Sequence, residues 1–240
     1  MRRPRPRSPA LYAGSVTGTS PAVLGCHYWE SGRCRSCTLI ETPYAVQLAE
    51  KDAAARRLLA SVPAEAWRAP AASAPSHFRN KAKLVIGGRP GAVTVGILDE
   101  ARRGVDLREC PLHEPGLHDA IHALAGVIDG LGLVPYDIPA RSGELKYALL
   151  THAPGGGLML RFVLRTRHHL ERILENLPYI RAALPRASVI SVNLHPEHKA
   201  VLEGDEEVVL TRESTLPMRV NDVTLHLGVR SFFQTNTAVA

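Results

Sequence analysis

Long apolar runs are missing from this 240-residue chain. No stretch approaches the roughly 18 residues that a membrane-spanning helix needs, which sets that class aside. An export signal is missing too. Arg2, Arg3, Arg5 and Arg7 open the chain, but Pro4, Pro6 and Pro9 interrupt them and no apolar segment follows. A cytoplasmic location is therefore expected, where cysteines stay as thiols. A nucleotide-binding glycine loop is also missing. Such a unit needs a strand, a Gly-rich turn and a helix in that order. Gly155-Gly156-Gly157 leads into an expected strand, and Gly130-Leu131-Gly132 follows an expected helix. No internal repeat is present.

Acid is scarce at one end. The net charge is +6, and residues 1–24 supply four of those charges with no Asp or Glu. The remainder is close to balanced, so overall basicity says little about the folded part. Residues 1–24 read as a disordered basic tail, unable to build a core.

What is present is a set of four cysteines. Three cluster as Cys26-x7-Cys34-x2-Cys37, and Cys110 stands alone in Glu109-Cys110-Pro111-Leu112. Thiolates are preferred ligands of zinc and of iron–sulfur clusters. A Cys-x2-Cys pair lets two sulfurs reach one centre, and two more complete a set suited to tetrahedral zinc or to a cubane cluster. The spacing does not choose between them. The loop carrying the first three is polar and Arg-rich, a poor setting for cysteines buried merely as small apolar groups. His27 and His113 lie beside these cysteines and read as neighbouring groups rather than ligands.

The pattern along the chain predicts an α+β fold with a mixed, largely antiparallel sheet. Thr42-Pro43 opens a helix running to about Ala60. Phe78–Ile86 reads as a strand ending in a turn at Gly87-Gly88. Val93–Leu98 follows as a strand. A helix covers about Pro115–Leu131, where Leu117, Ile121, Leu124, Ile128 and Leu131 step by 4, 3, 4 and 3 along one face. Lys146–Thr151 and Leu158–Arg165 read as a hairpin. A helix begins near His169, and Pro178 should end or kink it. Ser188–Leu194, Glu207–Thr211 and Val223–Gly228 are the remaining strands expected.

A second constellation is His77-Phe78-Arg79-Asn80-Lys81-Ala82-Lys83-Leu84. In a strand, Arg79, Lys81 and Lys83 share one face while Phe78, Ala82 and Leu84 take the other. Three cations in line suit a phosphate backbone, although a solvated strand face has the same pattern. Arg141, Lys146, Arg161 and Arg165 add charge on nearby segments, and Tyr147 offers a ring for stacking.

Taken in order, Cys26…Cys34-Arg35-Ser36-Cys37, Phe78–Lys83, Glu109–Leu112, Gly143-Glu144-Leu145-Lys146-Tyr147, Leu160–Arg165 and Ser231-Phe232-Phe233-Gln234-Thr235-Asn236 resemble the RNA uracil-C5 methyltransferases. The closest likeness is to the RlmC (RumB) branch, which modifies 23S ribosomal RNA. It covers about residues 25–240. That branch lacks an N-terminal OB-type RNA-binding domain, and none is expected here.

The resemblance implies that Cys26, Cys34, Cys37 and Cys110 hold a [4Fe–4S] cluster and that Gln234 contacts S-adenosylmethionine. It implies RNA contacts at Arg79, Lys81 and Lys83. In the family a cysteine thiolate adds to C6 of a flipped-out uracil, and C5 then takes the methyl group. All four cysteines match cluster positions, so no catalytic residue is assigned; the nucleophile, the base and a Rossmann-like methyltransferase domain are expected beyond Ala240. The expected division is residues 1–24 as tail, 25–114 as cluster loop, helix and basic strands, 115–229 as a central α+β RNA-binding region, and 230–240 as the start of the methyltransferase domain. The competing expectation is a stand-alone four-cysteine RNA-binding module without enzymatic activity. An iron–sulfur electron carrier fits poorly, because the Cys-x7-Cys spacing departs from ferredoxin patterns.

Overall fold

A computed structural model describes residues 23–199 and 201–240. The basic tail expected over residues 1–24 lies outside the described residues except for Val23 and Leu24. The first elements are α1 (His27–Glu30), α2 (Tyr44–Leu58) and a short 3-10 turn at Ala64–Ala66. Pro43 stands at the N-cap of α2, where a missing N–H costs nothing.

Seven strands build the main sheet. They are β1 (Lys81–Arg89), β2 (Ala92–Leu98), β3 (Gly104–Asp106), β4 (Leu145–His152), β5 (Leu158–Leu164), β6 (Ala187–Leu194) and β7 (Glu206–Val209), in the order β3-β2-β1-β4-β5-β6-β7. Among the described residues β5 and β6 are the parallel pair of strands, and the other strand pairings are antiparallel. A parallel pair needs a crossover, and α4 (Leu170–Glu175) with α5 (Leu177–Ala183) supplies it. The predicted break at Pro178 is real. The helix stops at Asn176, and Pro178 sits in the first turn of α5.

The α3 helix (Pro115–Gly130) lies across one face of this sheet. Leu117, Ile121, Leu124 and Ile128 are all fully buried there, and Leu131 caps the row. They meet Leu84, Ile86, Ala148, Leu150, Leu160 and Phe162. Burying each large aliphatic side chain contributes about 1.5–3 kcal/mol, so this layer is the main source of stability. The opposite face is different. The β8 (Thr215–Val220) and β9 (Val223–Gly228) hairpin covers Met159 and Val189 through Leu216, Met218 and Leu227. The rest of that face, running toward β1, carries Lys81 and Lys83.

Two expectations are corrected. Gly87-Gly88 is not the turn after β1; both lie inside the strand, and the turn is Pro90-Gly91, with Gly91 at φ +79°. Gly87 is required for close packing, since a Cβ there would come within 2.7 Å of the Gly104 Cα. The β8 strand was not expected, because Pro217 lies within it. A two-stranded hairpin consists of edges only, and a proline is tolerated there.

Candidate metal centre and nucleic-acid interface

The cysteine loop is held by its own backbone. The Cys26 carbonyl accepts from the N–H groups of Trp29 and Glu30, both at 3.0 Å, which closes the single turn of α1. Gly32 takes φ +75° and reverses the chain. The Cys34 N–H then donates to the Tyr28 carbonyl at 3.0 Å. Arg35 donates to the Trp29 carbonyl at 2.8 Å and lies over the Trp29 ring at 4.5 Å. The link to the distant cysteine is Tyr28, a buried side chain whose hydroxyl accepts from the Glu109 N–H at 3.2 Å. Glu109 immediately precedes Cys110.

All four cysteines are free thiols of intermediate burial. Burial raises the Cys37 pKa, Cys34 and Cys26 raise it further, and Arg79 opposes them. Burial also raises the Cys110 pKa against a backbone hydrogen bond from Leu112, and Cys37, Cys26 and Cys34 add to the rise. The fold thus brings Cys110 within electrostatic reach of the three clustered thiols. Four such groups disfavour one another's ionisation, and a bound cation removes that penalty. The donor set therefore fits a thiophilic metal centre. His113 lies behind the centre; burial, then Arg79 and His118, push its imidazole down to about 4, so it is neutral. His27 is exposed.

Arg79 stands beside this centre. Its N–H donates to the Leu112 carbonyl at 2.8 Å and its carbonyl accepts from the Glu114 N–H at 3.0 Å. Lys81 and Lys83 continue along β1 on the face away from α3, while Ala82 and Leu84 are buried beneath. The predicted alternation holds from Lys81 to Leu84, but Phe78 and Arg79 precede the strand, which begins at Lys81. Burial, then Lys83 and Arg161, lower the Lys81 pKa. None of Arg79, Lys81 and Lys83 has an ion-pair partner among the described residues.

Of the other cations expected to extend this surface, Arg161, Arg165 and Lys146 are engaged internally, whereas Arg141 is exposed. Arg161 is 3 % exposed and donates to Glu207 at 2.9 and 2.6 Å and to Glu203 at 2.8 Å. Arg165 pairs with Glu144 at 3.1 Å and donates to the Arg141 carbonyl. Lys146 donates to the Glu197 carbonyl at 2.6 Å and lies over the Tyr136 ring. Tyr147, opposite Val85 across β1 and β4, lines a cavity of about 460 Å³ with Val85, Tyr136, Lys146, Arg102 and Lys199. Tyrosine rings with cations at the rim suit a planar base and its phosphate. Tyr136 was missed because only the fold brings it beside Tyr147.

Gln234 is exposed. Its backbone is fixed by Asn80, a buried residue whose Nδ2 donates to the Gln234 carbonyl at 3.1 Å and to Thr237 Oγ1 at 2.7 Å. The Asn80 N–H also donates to the Thr235 carbonyl at 2.9 Å. Gln234 is thereby placed next to the root of the basic strand.

No family model matches the chain. Individual relatives do. Over 218 residues it is 44 % identical to the 23S rRNA (uracil(747)-C(5))-methyltransferase RlmC of Cronobacter sakazakii, covering 90 % of this chain and 58 % of that protein. The RlmC of Escherichia coli O157:H7 is 43 % identical over the same coverage. Over that stretch the chain is similar to these RNA uracil-C5 methyltransferases. It spans somewhat over half the length of these curated relatives. Among solved structures, the Pyrococcus abyssi tRNA (uracil-54, C5)-methyltransferase in complex with S-adenosyl-L-homocysteine matches with a TM-score of 0.63 at 22 % identity. The match covers 84 % of this chain and 47 % of that one, a likeness of fold. The α+β architecture with its largely antiparallel sheet is thus shared with that structure.

Among the described residues no helix is long and apolar enough to cross a membrane.

Proposed function

We propose that this chain is the iron–sulfur and RNA-binding part of an S-adenosylmethionine-dependent methyltransferase acting on uracil C5 in 23S ribosomal RNA in the cytoplasm. The observation that carries this reading is the 44 % identity to RlmC over 90 % of the chain. Cys26, Cys34, Cys37 and Cys110 would hold a [4Fe–4S] cluster, and Gln234 would contact S-adenosylmethionine. Residues 25–114 would form the cluster and basic-strand segment, 115–229 the central RNA-binding region, and 230–240 the approach to the methyltransferase domain.

Four thiolates suit zinc or iron–sulfur alike, and it is the resemblance, which implies a [4Fe–4S] cluster at these four positions, that favours iron–sulfur. When bound, such a cluster supplies a rigid four-point cross-link rather than an acid, a base or a nucleophile for the uracil.

The chain's own residues divide the remaining work. Arg79, Lys81 and Lys83 would follow successive phosphates, leading toward the cavity that Tyr136 and Tyr147 line. Asn80 would hold Gln234 at the near end of that track. With all four thiols assigned to the cluster, no cysteine is left to attack C6, so the 240 residues alone should transfer no methyl group.

The test is threefold. The purified chain should contain about four iron and four sulfide per polypeptide, bind a 23S rRNA fragment spanning the position that the relatives modify, and transfer no methyl group from S-adenosylmethionine. Joined to the remaining segment of an RlmC relative, it should support transfer. RNA binding without any such rescue would favour the alternative, a metal-containing RNA-binding module without enzymatic activity. Zinc instead of iron, or methyl transfer by the chain alone, would overturn the corresponding assignment.

A further inference from the structure

We infer that Glu109, His118 and His122 form a second metal site, distinct from the four cysteines, for a divalent transition ion of the zinc type. The inference does not depend on the methyltransferase reading. The α3 helix carries His118 and His122 four positions apart, so both imidazoles leave the same face one turn from each other. Their ring centroids are 4.6 Å apart. The tertiary fold brings Glu109 over them. Its Oε2 lies 3.4 Å from His118 Nε2 and its Oε1 lies 3.0 Å from His122 Nε2. One donor atom from each residue falls within 4.8 Å of the other two.

The two nitrogen–oxygen separations, each to a different oxygen of Glu109, are close to those of a coordination sphere. Zinc bonds of about 2.0–2.2 Å to nitrogen and oxygen in a tetrahedron put neighbouring donors roughly 3.4 Å apart. A hydrogen-bonded cluster is the competing account, and it is incomplete. His122 Nε2 is buried and has no hydrogen-bond partner, although a carboxylate oxygen stands 3.0 Å away. An ion between the three groups would engage that nitrogen without demanding hydrogen-bond alignment. Asp119 Oδ1 is 3.8 Å from His118 Nδ1, on the side where a carboxylate orients a metal-bound imidazole. The side chains of Glu109, His118 and His122 are 56 %, 32 % and 38 % exposed, leaving the fourth position to water.

The chemistry separates this site from its neighbour. Two imidazoles and a carboxylate suit zinc, nickel or copper, whereas four thiolates suit a cluster. Because Glu109 adjoins Cys110, an ion here would clamp α3 to the segment that carries the fourth cysteine.

The experiment is a zinc titration of the purified chain with its cysteine centre reconstituted, read by calorimetry and by X-ray absorption at the zinc edge. One equivalent of zinc should bind with a first shell of nitrogen and oxygen near 2.0–2.1 Å. His118→Ala and His122→Ala should each weaken binding at least tenfold while iron content stays at the wild-type level. Absence of saturable zinc binding in the wild type would overturn the site. So would a sulfur shell near 2.3 Å, or undiminished binding in both histidine variants.

Discussion

Asn80 Nδ2 donates to the backbone carbonyl of Gln234, joining two residues 154 positions apart. The same amide group also reaches Thr237, and the Asn80 N–H reaches Thr235. One buried side chain at the root of β1 thus organises the segment that holds the candidate cofactor residue. Asn80→Ala leaves the Gln234 carbonyl and the Thr237 hydroxyl without this donor. Each such lost hydrogen bond costs about 0.5–1.5 kcal/mol. The variant is expected to unfold at a lower urea concentration and to show faster proteolysis around residues 230–240. An unchanged midpoint with unchanged proteolysis would show that this anchor is dispensable.

Cys110 lies 73 positions beyond Cys37, yet the fold sets it among the clustered thiols. A metal centre spanning so long a loop restricts the unfolded chain strongly, and its binding energy becomes folding energy. Cys110→Ser should therefore lose iron and thermal stability together, and chelation of the wild type should lower the melting temperature in the same direction. Full iron content in Cys110→Ser would remove that residue from the ligand set.

The elements most legible in the sequence are those with strong local periodicity. The 4, 3, 4, 3 steps from Leu117 to Leu131 fixed α3 because one apolar face must be buried wherever the helix packs. Pro178 marked the break between α4 and α5 through a purely local rule. Gly87-Gly88 misled because its glycines serve a neighbour, Gly104, rather than a turn. Charge deceived in a similar way. Arg161 looked like part of a basic surface, and only the approach of Glu203 and Glu207 from other segments neutralises it. At the candidate centres the sequence named the four thiols by donor type. The Tyr28–Glu109 bond that draws Cys110 toward them, and the placement of Glu109 over His118 and His122, are tertiary facts without a local signature.

Lys81 and Lys83 lie on the outer face of β1 without ion-pair partners among the described residues, and Arg79 stands beside the cysteine centre. If they track phosphates, each should contribute through counterion release. Lys83→Ala and Lys81→Ala are expected to weaken binding to a 23S rRNA fragment and to reduce the slope of log K against log salt by about 1 apiece. Arg165→Ala, whose guanidinium is already paired with Glu144, should change that slope much less. Equal slopes in wild type and both lysine variants would place the RNA elsewhere.

Glu144 gives the fold an acid-sensitive joint. Burial pushes its carboxyl pKa up, but the Thr166 hydroxyl at 2.7 Å, Arg165 at 3.1 Å and the Thr166 N–H at 3.0 Å outweigh it, so the net shift is downward. A carboxyl with a depressed folded pKa contributes stability above its unfolded pKa, near 4.3, and loses it as pH falls through the folded value. Wild-type stability should therefore decline as pH drops below about 4.3, with Glu144 among the causes. Glu144→Gln keeps the shape but removes the titration. It should be less stable than wild type at pH 7, and the gap should narrow as pH falls toward 3, as followed by urea unfolding at each pH. A gap that stays constant across that range would mean the ionised form of Glu144 contributes nothing to the joint between β4 and the segment after β5.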